Sequence, residues 1–375
     1  MAGRRIDALR AALAPERCGA PPHPAAEWGA AGVRAEALLP GGGWAAARSE
    51  RGAEALLGAL RRHSFAWVRW HRPRRDDATP AELFEATSTV FTCERLRSQF
   101  YADPAADAAA QAEMKPGSSS RFASFNRLPG KDYAYLRCDA ERRLLPPRRH
   151  DDHNSIRFER LCCSMWRQFG ELGAAVLQAV GAALGEGDDA LARLTRRGPR
   201  SRAASRAEQA HNGSAGEDTN SVLFLLRYLR HGDSEPHTDI DLLTLVSPET
   251  APGLEVIDAE TGRWVKPFQS QGFAQACQAG QAERETSEIF CVLAGETLGF
   301  VTGLPPGMHR VVPREPEGSG PEQDARMSSI GLIYAADDAQ LTTTMDAATF
   351  RDEVARSSES YLRRVEQART AAVDD

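Results

Sequence analysis

From residue 221 to residue 336 the chain breaks into short apolar or alternating runs. They are SVLFLLRYL (221–229), LLTLVS (242–247), GLEVID (253–258), RWVKPF (263–268), IFCVLAG (289–295), TLGFVTG (297–303), HRVVP (309–313) and SSIGLIYAA (328–336). No single run can bury its own apolar face, and the segments between them carry turn residues, so the runs are expected to pair with one another as strands. DAETG (258–262) reads as a hairpin turn between two of them. Short strands separated by turns close into a sandwich or a barrel.

The first half has a different texture. Residues 1–45 are rich in Ala, Pro and Gly with little periodicity, and are expected to form a loosely ordered arm. SERGAEALLGALRRHSFAWVRW (49–70) carries apolar positions at helical spacing and then alternates, which predicts a helix followed by a strand. In TPAELFEATSTVFTCERLRSQFY (79–101), Thr79 stands at the N-cap, Pro80 at the first helical position and a glutamate soon after. IRFERLCCSMWRQFGELGAAVLQAVGAALG (156–185) is the longest helical pattern, with Gly185 as its stop. Residues 186–218, charged and rich in Gly, Ser and Arg, read as a surface loop, and 346–370 return to helical spacing. The expected division is an arm at 1–45, a mixed, mostly helical region at 46–218, a β domain at 219–340 and a C-terminal helix at 341–375.

Composition narrows the function classes. A formal net charge of −6 argues against a general polyanion binder. The arginine clusters at 141–150 and 195–206 read as solvated loops, because only Lys115, Lys131 and Lys266 supply lysine in a chain with 46 basic residues. Seven cysteines without a CxxC pair form neither a disulfide framework nor a zinc site, so a reducing, cytoplasmic setting is expected. No run of about 18 apolar residues is present to span a membrane. The N-terminal arginines are not followed by an apolar segment of the secretory kind.

EPHTDIDLLTLV (235–246) places two ionisable groups at the lip of an apolar run. In an extended segment residues i and i+2 share a face, so His237 and Asp239 can converge on one point. An imidazole and a carboxylate so arranged make two thirds of the 2-His-1-carboxylate set used by non-haem Fe(II) oxygenases. His309, opening a later run 70 residues on, is the candidate third member; a hydrogen-bonded strand-end histidine is the plainer alternative. Arg326 and Ser328 share a face of the last run by the same spacing, and an arginine fork matches a carboxylate in two hydrogen bonds.

Together, HTD before a leucine-rich strand, GLEVIDAETGRWVKP, LAGETLGFVTG, HRVV and finally RMS before an apolar strand resemble the isopenicillin N synthase-like family of 2-oxoglutarate and Fe(II)-dependent oxygenases. ALLGALRRHSFAWVRW and LPGKDYAYLRCD extend the likeness upstream, so that it covers about residues 50 to 340. The resemblance implies a double-stranded β-helix, a jelly-roll, cupin-like barrel flanked by helices. It implies that His237, Asp239 and His309 bind Fe(II), and that Arg326 and Ser328 hold the distal carboxylate of 2-oxoglutarate. Tyr228 matches a tyrosine that also contacts the co-substrate, although the asparagine usual two residues before it is Leu226 here. Insertions at 269–285 and 314–324 loosen any subfamily placement.

The implied activity is a dioxygenase reaction that uses O2 and 2-oxoglutarate, releases succinate and CO2, and hydroxylates, desaturates or cyclises a small organic molecule. Arg121, Phe122 and Arg137 are candidate substrate-wall residues. No nucleic-acid or membrane partner is expected, and a monomer or weak dimer is. Two alternatives are an iron oxidase of the same family that does without 2-oxoglutarate and a non-catalytic barrel that keeps the motif.

Overall fold

The computed structural model describes residues 34–38, 44–96, 124–136, 152–196, 221–313 and 325–357, with short gaps at 73, 75, 129, 188, 230, 252, 271–272, 275–276 and 278–286. Its strands are β1 (Arg34–Leu38), β2 (Trp44–Ala46), β3 (Phe65–His71), β4 (Ser124–Leu128), β5 (Lys131–Leu136), β6 (Val222–Tyr228), β7 (Ser234–His237), β8 (Leu243–Val246), β9 (Leu254–Ile257), β10 (Trp264–Val265), β11 (Ser287–Ala294), β12 (His309–Val311) and β13 (Arg326–Ile333). The helices are α1 (Glu50–His63), α2 (Pro80–Thr92), α3 (His153–Ala183), α4 (Ala190–Arg193), α5 (Glu296–Thr302) and α6 (347–357).

Every named strand pairing is antiparallel. Nine strands form one sheet in the order β2-β1-β3-β11-β8-β13-β6-β5-β4, and four form a second in the order β10-β9-β12-β7. Alternation gives each central strand of the large sheet two buried faces, which is why these runs read as continuously apolar. On one face Leu223, Leu225, Leu243, Leu245, Phe290 and Val292 join α1, α2 and α3 in the main core. On the other face Val246, Cys291, Leu293 and Phe65 meet Leu254 and Val256 of β9, while Leu226 and Tyr228 meet Val311 of β12. The two sheets therefore face each other across a chamber, and the helices cover the large sheet from outside.

The helices begin where the capping residues place them. Thr79 and Glu82 form a reciprocal capping box with Pro80 in the first turn of α2. Asp152 accepts from the backbone N–H groups of Asn154 and Ser155, so α3 starts three residues before the apolar periodicity does. Gly185 follows α3 with a φ of 76°. Arg167 of α3 pairs with Asp77 and Glu171, fixing the segment before α2 to the helix.

Several sequence expectations are corrected. TLGFVTG is a helix, because Gly295 caps it in an extended conformation, Glu296 lies in its first turn and Gly303 takes the left-handed φ of 77° that ends it. The segment expected as an arm contributes β1 and β2: Ala35 and Ala37 bury one face while Glu36, between them, bonds Arg69 and His71 of β3. Its alternation is hard to see in the sequence because the buried residues are alanines. The start of the 186–218 loop carries α4, whose Leu191 is fully buried. RWVKPF is strand only at Trp264–Val265, since Pro267 removes a ladder donor and opens a 3-10 turn. The arginine cluster at 141–150, the cluster at 195–206 from residue 197 onward and the residues after 357 lie outside the described residues, as do 1–33, Arg121, Phe122 and Arg137.

Candidate metal centre and carboxylate pocket

His237 ends β7 and His309 opens β12, and the register of the small sheet makes them direct cross-strand partners. Their rings lie 4.3 Å apart between centroids. His237 and Asp239 converge as their spacing predicts, although Asp239 lies two residues beyond the end of β7. It lies in the segment that leaves the small sheet at His237 and enters the large one at Leu243. Its Oδ1 is 3.9 Å from His237 Nε2 and its Oδ2 is 3.6 Å from His309 Nε2. One ligand atom from each of the three residues falls within 4.8 Å of the others, a spacing that a single metal ion can bridge.

The backbone sets which nitrogen faces the centre. His237 Nδ1 lies 2.7 Å from the Glu235 carbonyl and His309 Nδ1 lies 2.9 Å from that of Gly307. A carbonyl only accepts, so both Nδ1 atoms carry the proton and both Nε2 atoms present a lone pair. Desolvation, and then the neighbouring His309 ring, hold the His237 pKa below its ordinary value, which favours the neutral form a metal ligand needs. His309 is buried, while His237 keeps 44% of its side chain exposed at the mouth.

Asp239 is held from behind. Thr244 Oγ1 donates to Asp239 Oδ2 at 2.5 Å and also lies 3.1 Å from Asp241 Oδ2. Asp241 is fully buried, and burial followed by the Asp239 charge pushes its carboxyl well above the usual range. The start of α5 grips the same segment: the N–H groups of Gly295, Glu296 and Thr297 donate to the carbonyls of Leu242, Asp239 and Asp241. Thr297 Oγ1 donates to Ile240 O at 2.5 Å, and Thr238 Oγ1 to Glu296 Oε1 at 2.7 Å. The stretch expected as a strand is thus the element that positions Asp239. Gly295 and Glu296 ahead of Gly303 are the helix signals that could have revealed it.

On the large sheet Arg326 and Tyr228 are cross-strand partners, as are Ser328 and Leu226. All four point into the chamber. His309 faces it too, since it shares a strand face with Val311, which packs on Leu226 and Tyr228. Arg326 Cζ lies 4.2 Å over the Tyr228 ring. Burial raises the Tyr228 phenol to about 12, so it stays protonated and able to donate. Further along the same sheet face, Tyr135 stacks on Phe224 at 4.2 Å with Tyr133 edge-on to both.

Arg326 and Ser328 are 4% and 2% exposed, yet Arg326 Nε and Nη2 and Ser328 Oγ have no hydrogen-bond partner among the described residues. Leaving a buried donor unmade costs about 1–3 kcal/mol each. Three in one place describe a pocket shaped for an acceptor. Gly253 belongs to it by size, because a Cβ there would collide with Arg326 Nη1. Glu249, which no sequence pattern singles out, places Oε1 3.6 Å from Arg326 Nε.

No family model matches the chain, and no curated protein matches it. The fold does have solved counterparts. A full-length Neurospora crassa protein crystallised in complex with alpha-KG aligns at a TM-score of 0.52 and 14% identity, over 82% of this chain and 90% of that one. The same Neurospora protein in complex with alpha-KG and thymine aligns at 0.52 and 14%, over 82% and 92%. The mainly antiparallel two-sheet architecture with flanking helices is therefore a fold that this chain shares with the Neurospora protein.

Proposed function

We propose that the chain is a 2-oxoglutarate-dependent non-haem Fe(II) dioxygenase that oxidises a small organic molecule, releasing succinate and CO2. One observation carries this reading: two tautomer-fixed imidazoles and a carboxylate converge at the mouth of a chamber whose opposite wall holds orphaned arginine and serine donors. The donor set fits the ion, since two nitrogens and one oxygen on one side suit Fe(II) and leave positions open for other ligands. The orphaned atoms fit the distal carboxylate of a 2-oxo diacid. The Neurospora protein, which shares the fold, is itself crystallised with alpha-KG. The two sheets are, on this reading, the halves of a double-stranded β-helix of the isopenicillin N synthase-like kind, with 219–340 as the catalytic domain.

His237, Asp239 and His309 would hold the iron, and Thr244 and the start of α5 would keep Asp239 aimed at it. Arg326 and Ser328 would bind the far carboxylate of the co-substrate, with Tyr228 supporting the guanidinium through its ring face. When bound, iron and 2-oxoglutarate supply the coupling of co-substrate decarboxylation to oxidation of a substrate C–H bond by dioxygen. The apolar and aromatic chamber wall, with Leu226, Tyr133, Tyr135 and Phe224, would keep water from that chemistry. The thymine held by the Neurospora protein makes small planar molecules the first to screen.

The test is succinate release from 2-oxoglutarate by the iron-loaded protein across a panel of small metabolites, with oxygen consumption recorded in parallel. Substrate-stimulated succinate that vanishes without iron is the expected outcome. Iron-dependent turnover indifferent to 2-oxoglutarate would leave the iron centre standing and remove the co-substrate from the account. Failure to take up iron would leave a barrel without this activity.

A further inference from the structure

The proposed co-substrate pocket contains a carboxylate of its own. Glu249 sits in the turn after β8 with its side chain 4% exposed, and its Oε1 is 3.6 Å from Arg326 Nε. Its Oε2 accepts from the backbone N–H of Leu254 at 3.2 Å, which holds the carboxylate in place. The contact to Arg326 is an ion pair without a hydrogen bond, for Nε and Nη2 both lack partners among the described residues, while Nη1 donates weakly to Val312 O at 3.4 Å. Glu249 thus compensates the buried charge of Arg326 but leaves its donors unused.

We infer that Glu249 is an internal counter-anion that lowers the affinity of this pocket for the distal carboxylate and thereby speeds release of the dicarboxylate product. This rests on the proposed role of Arg326. Two physical effects act in the same direction. A carboxylate entering the pocket meets a guanidinium already partly neutralised, and it comes close to a second negative charge in a poorly hydrated space where such charges repel more strongly than in water. Without Glu249, Arg326 would be buried and uncompensated, and an incoming carboxylate would gain the whole of that interaction. Burial raises the Glu249 pKa and Arg326 opposes the rise; the 3.6 Å contact carries no hydrogen bond, so the two groups match only in charge. Succinate keeps the carboxylate that Arg326 would hold, so whatever weakens the grip on 2-oxoglutarate weakens the grip on succinate too. Glu249 pairs in charge with Arg326 and is bonded by the backbone N–H groups of Leu254 and Gly253, not by the triad, which makes it a positioning residue for Arg326.

The experiment is anaerobic calorimetry of the Mn(II)-loaded protein with 2-oxoglutarate, with succinate, and with 2-oxopentanoate, which has the chelating end but no distal carboxylate. Glu249→Gln keeps the shape and an acceptor for Leu254 while removing the charge. A coupling of ordinary size predicts that it binds 2-oxoglutarate and succinate at least about fivefold more tightly than the wild type. Binding of 2-oxopentanoate should be unchanged. Thermal unfolding of the empty variant should fall below wild type and recover more on adding 2-oxoglutarate. Glu249→Asp, which withdraws the charge by one methylene, should tighten binding in the same order by less, and it decides the question if the glutamine variant does not fold. Unchanged or weaker 2-oxoglutarate binding in the folding variants, or equal tightening of 2-oxopentanoate, overturns the inference. A wild-type protein that binds Mn(II) but no 2-oxoglutarate at all would instead overturn the proposed function.

Discussion

The two walls of the chamber differ in how their polar groups are satisfied. On the small sheet and the segment leaving it, each ring Nδ1 has a backbone carbonyl, Asp239 has the Thr244 hydroxyl, and only the converging Nε2 and carboxylate oxygens point inward. On the large sheet Arg326 and Ser328 are buried with donors left over, and Glu249, the carboxylate that approaches Arg326, makes no hydrogen bond to it. On the proposed reading the first wall is preorganised around a point charge, with its ligands aimed before the ion arrives. The second would be completed by an anion with two acceptor oxygens. Aiming and incompleteness are both marks of a site, and they call for opposite experiments: disturb what supports the first, supply what the second lacks.

The largest expected effect breaks the first wall outright. His309→Ala or Asp239→Ala should abolish Mn(II) and Fe(II) binding while thermal unfolding shows a folded protein, as read by calorimetry of the two variants. Next is the second wall. Arg326→Ala should leave metal binding intact and weaken 2-oxoglutarate binding about a hundredfold, since truncating one partner of a buried charged contact costs about 2–5 kcal/mol. If Arg326→Ala lost the metal instead, the two walls would not be separable. Thr244→Val tests aiming without touching a ligand. Removing support of this kind typically costs about 10- to 100-fold in metal affinity, and an unchanged affinity would show that Asp239 needs no such support.

Ser328→Ala sharpens the contrast at smaller scale. One neutral donor contributes about 1 kcal/mol, so 2-oxoglutarate should bind about fivefold more weakly with the metal unaffected. The smallest effect concerns the attachment of the small sheet to the large one's helices. Asp258, in the turn after β9, lies 2.7 Å from His63 at the end of α1 and accepts from Thr261 N. Burial acts to raise its pKa, but the bonds from Thr261 and His63 outweigh that and hold it below the usual value. Its contribution is therefore present at neutral pH and is lost as the pH falls below the ordinary carboxylate value of about 3.9 through the lower folded one. Asp258→Asn should cost about 1 kcal/mol in urea unfolding at pH 7 and nothing at a pH below that window.

Much of this is legible in the sequence where local rules act alone. Thr79, Pro80 and Glu82 start a helix by contacts within one turn, and SVLFLLRYL and SSIGLIYAA read as strands because both of their faces are buried. The pairing of His237 with His309 is expected from order and spacing, but its cause, the register of β7 on β12, is a property of the sheet. The geometry of Asp239 is legible only in part, since the segment that carries it crosses between the sheets and is held by the start of α5. TLGFVTG misleads because an apolar run of seven residues suits a short helix as well as a strand, and the flanking glycines decide. Glu249 cannot be seen at all. Its meaning lies in a contact with a residue 77 positions later, and nothing in SPETAPG points to Arg326.

The central claim is that the two walls act on one bound pair, iron at the triad and 2-oxoglutarate between iron and Arg326. Anaerobic titration of 2-oxoglutarate into the Fe(II)-loaded protein, followed by visible absorption, tests it most directly. The account predicts a metal-to-ligand charge-transfer band that saturates with one equivalent of each. It should be absent in His237→Ala and require far more 2-oxoglutarate in Arg326→Ala. A band that persists in His237→Ala, or no band in a wild-type protein shown to hold iron, would contradict it.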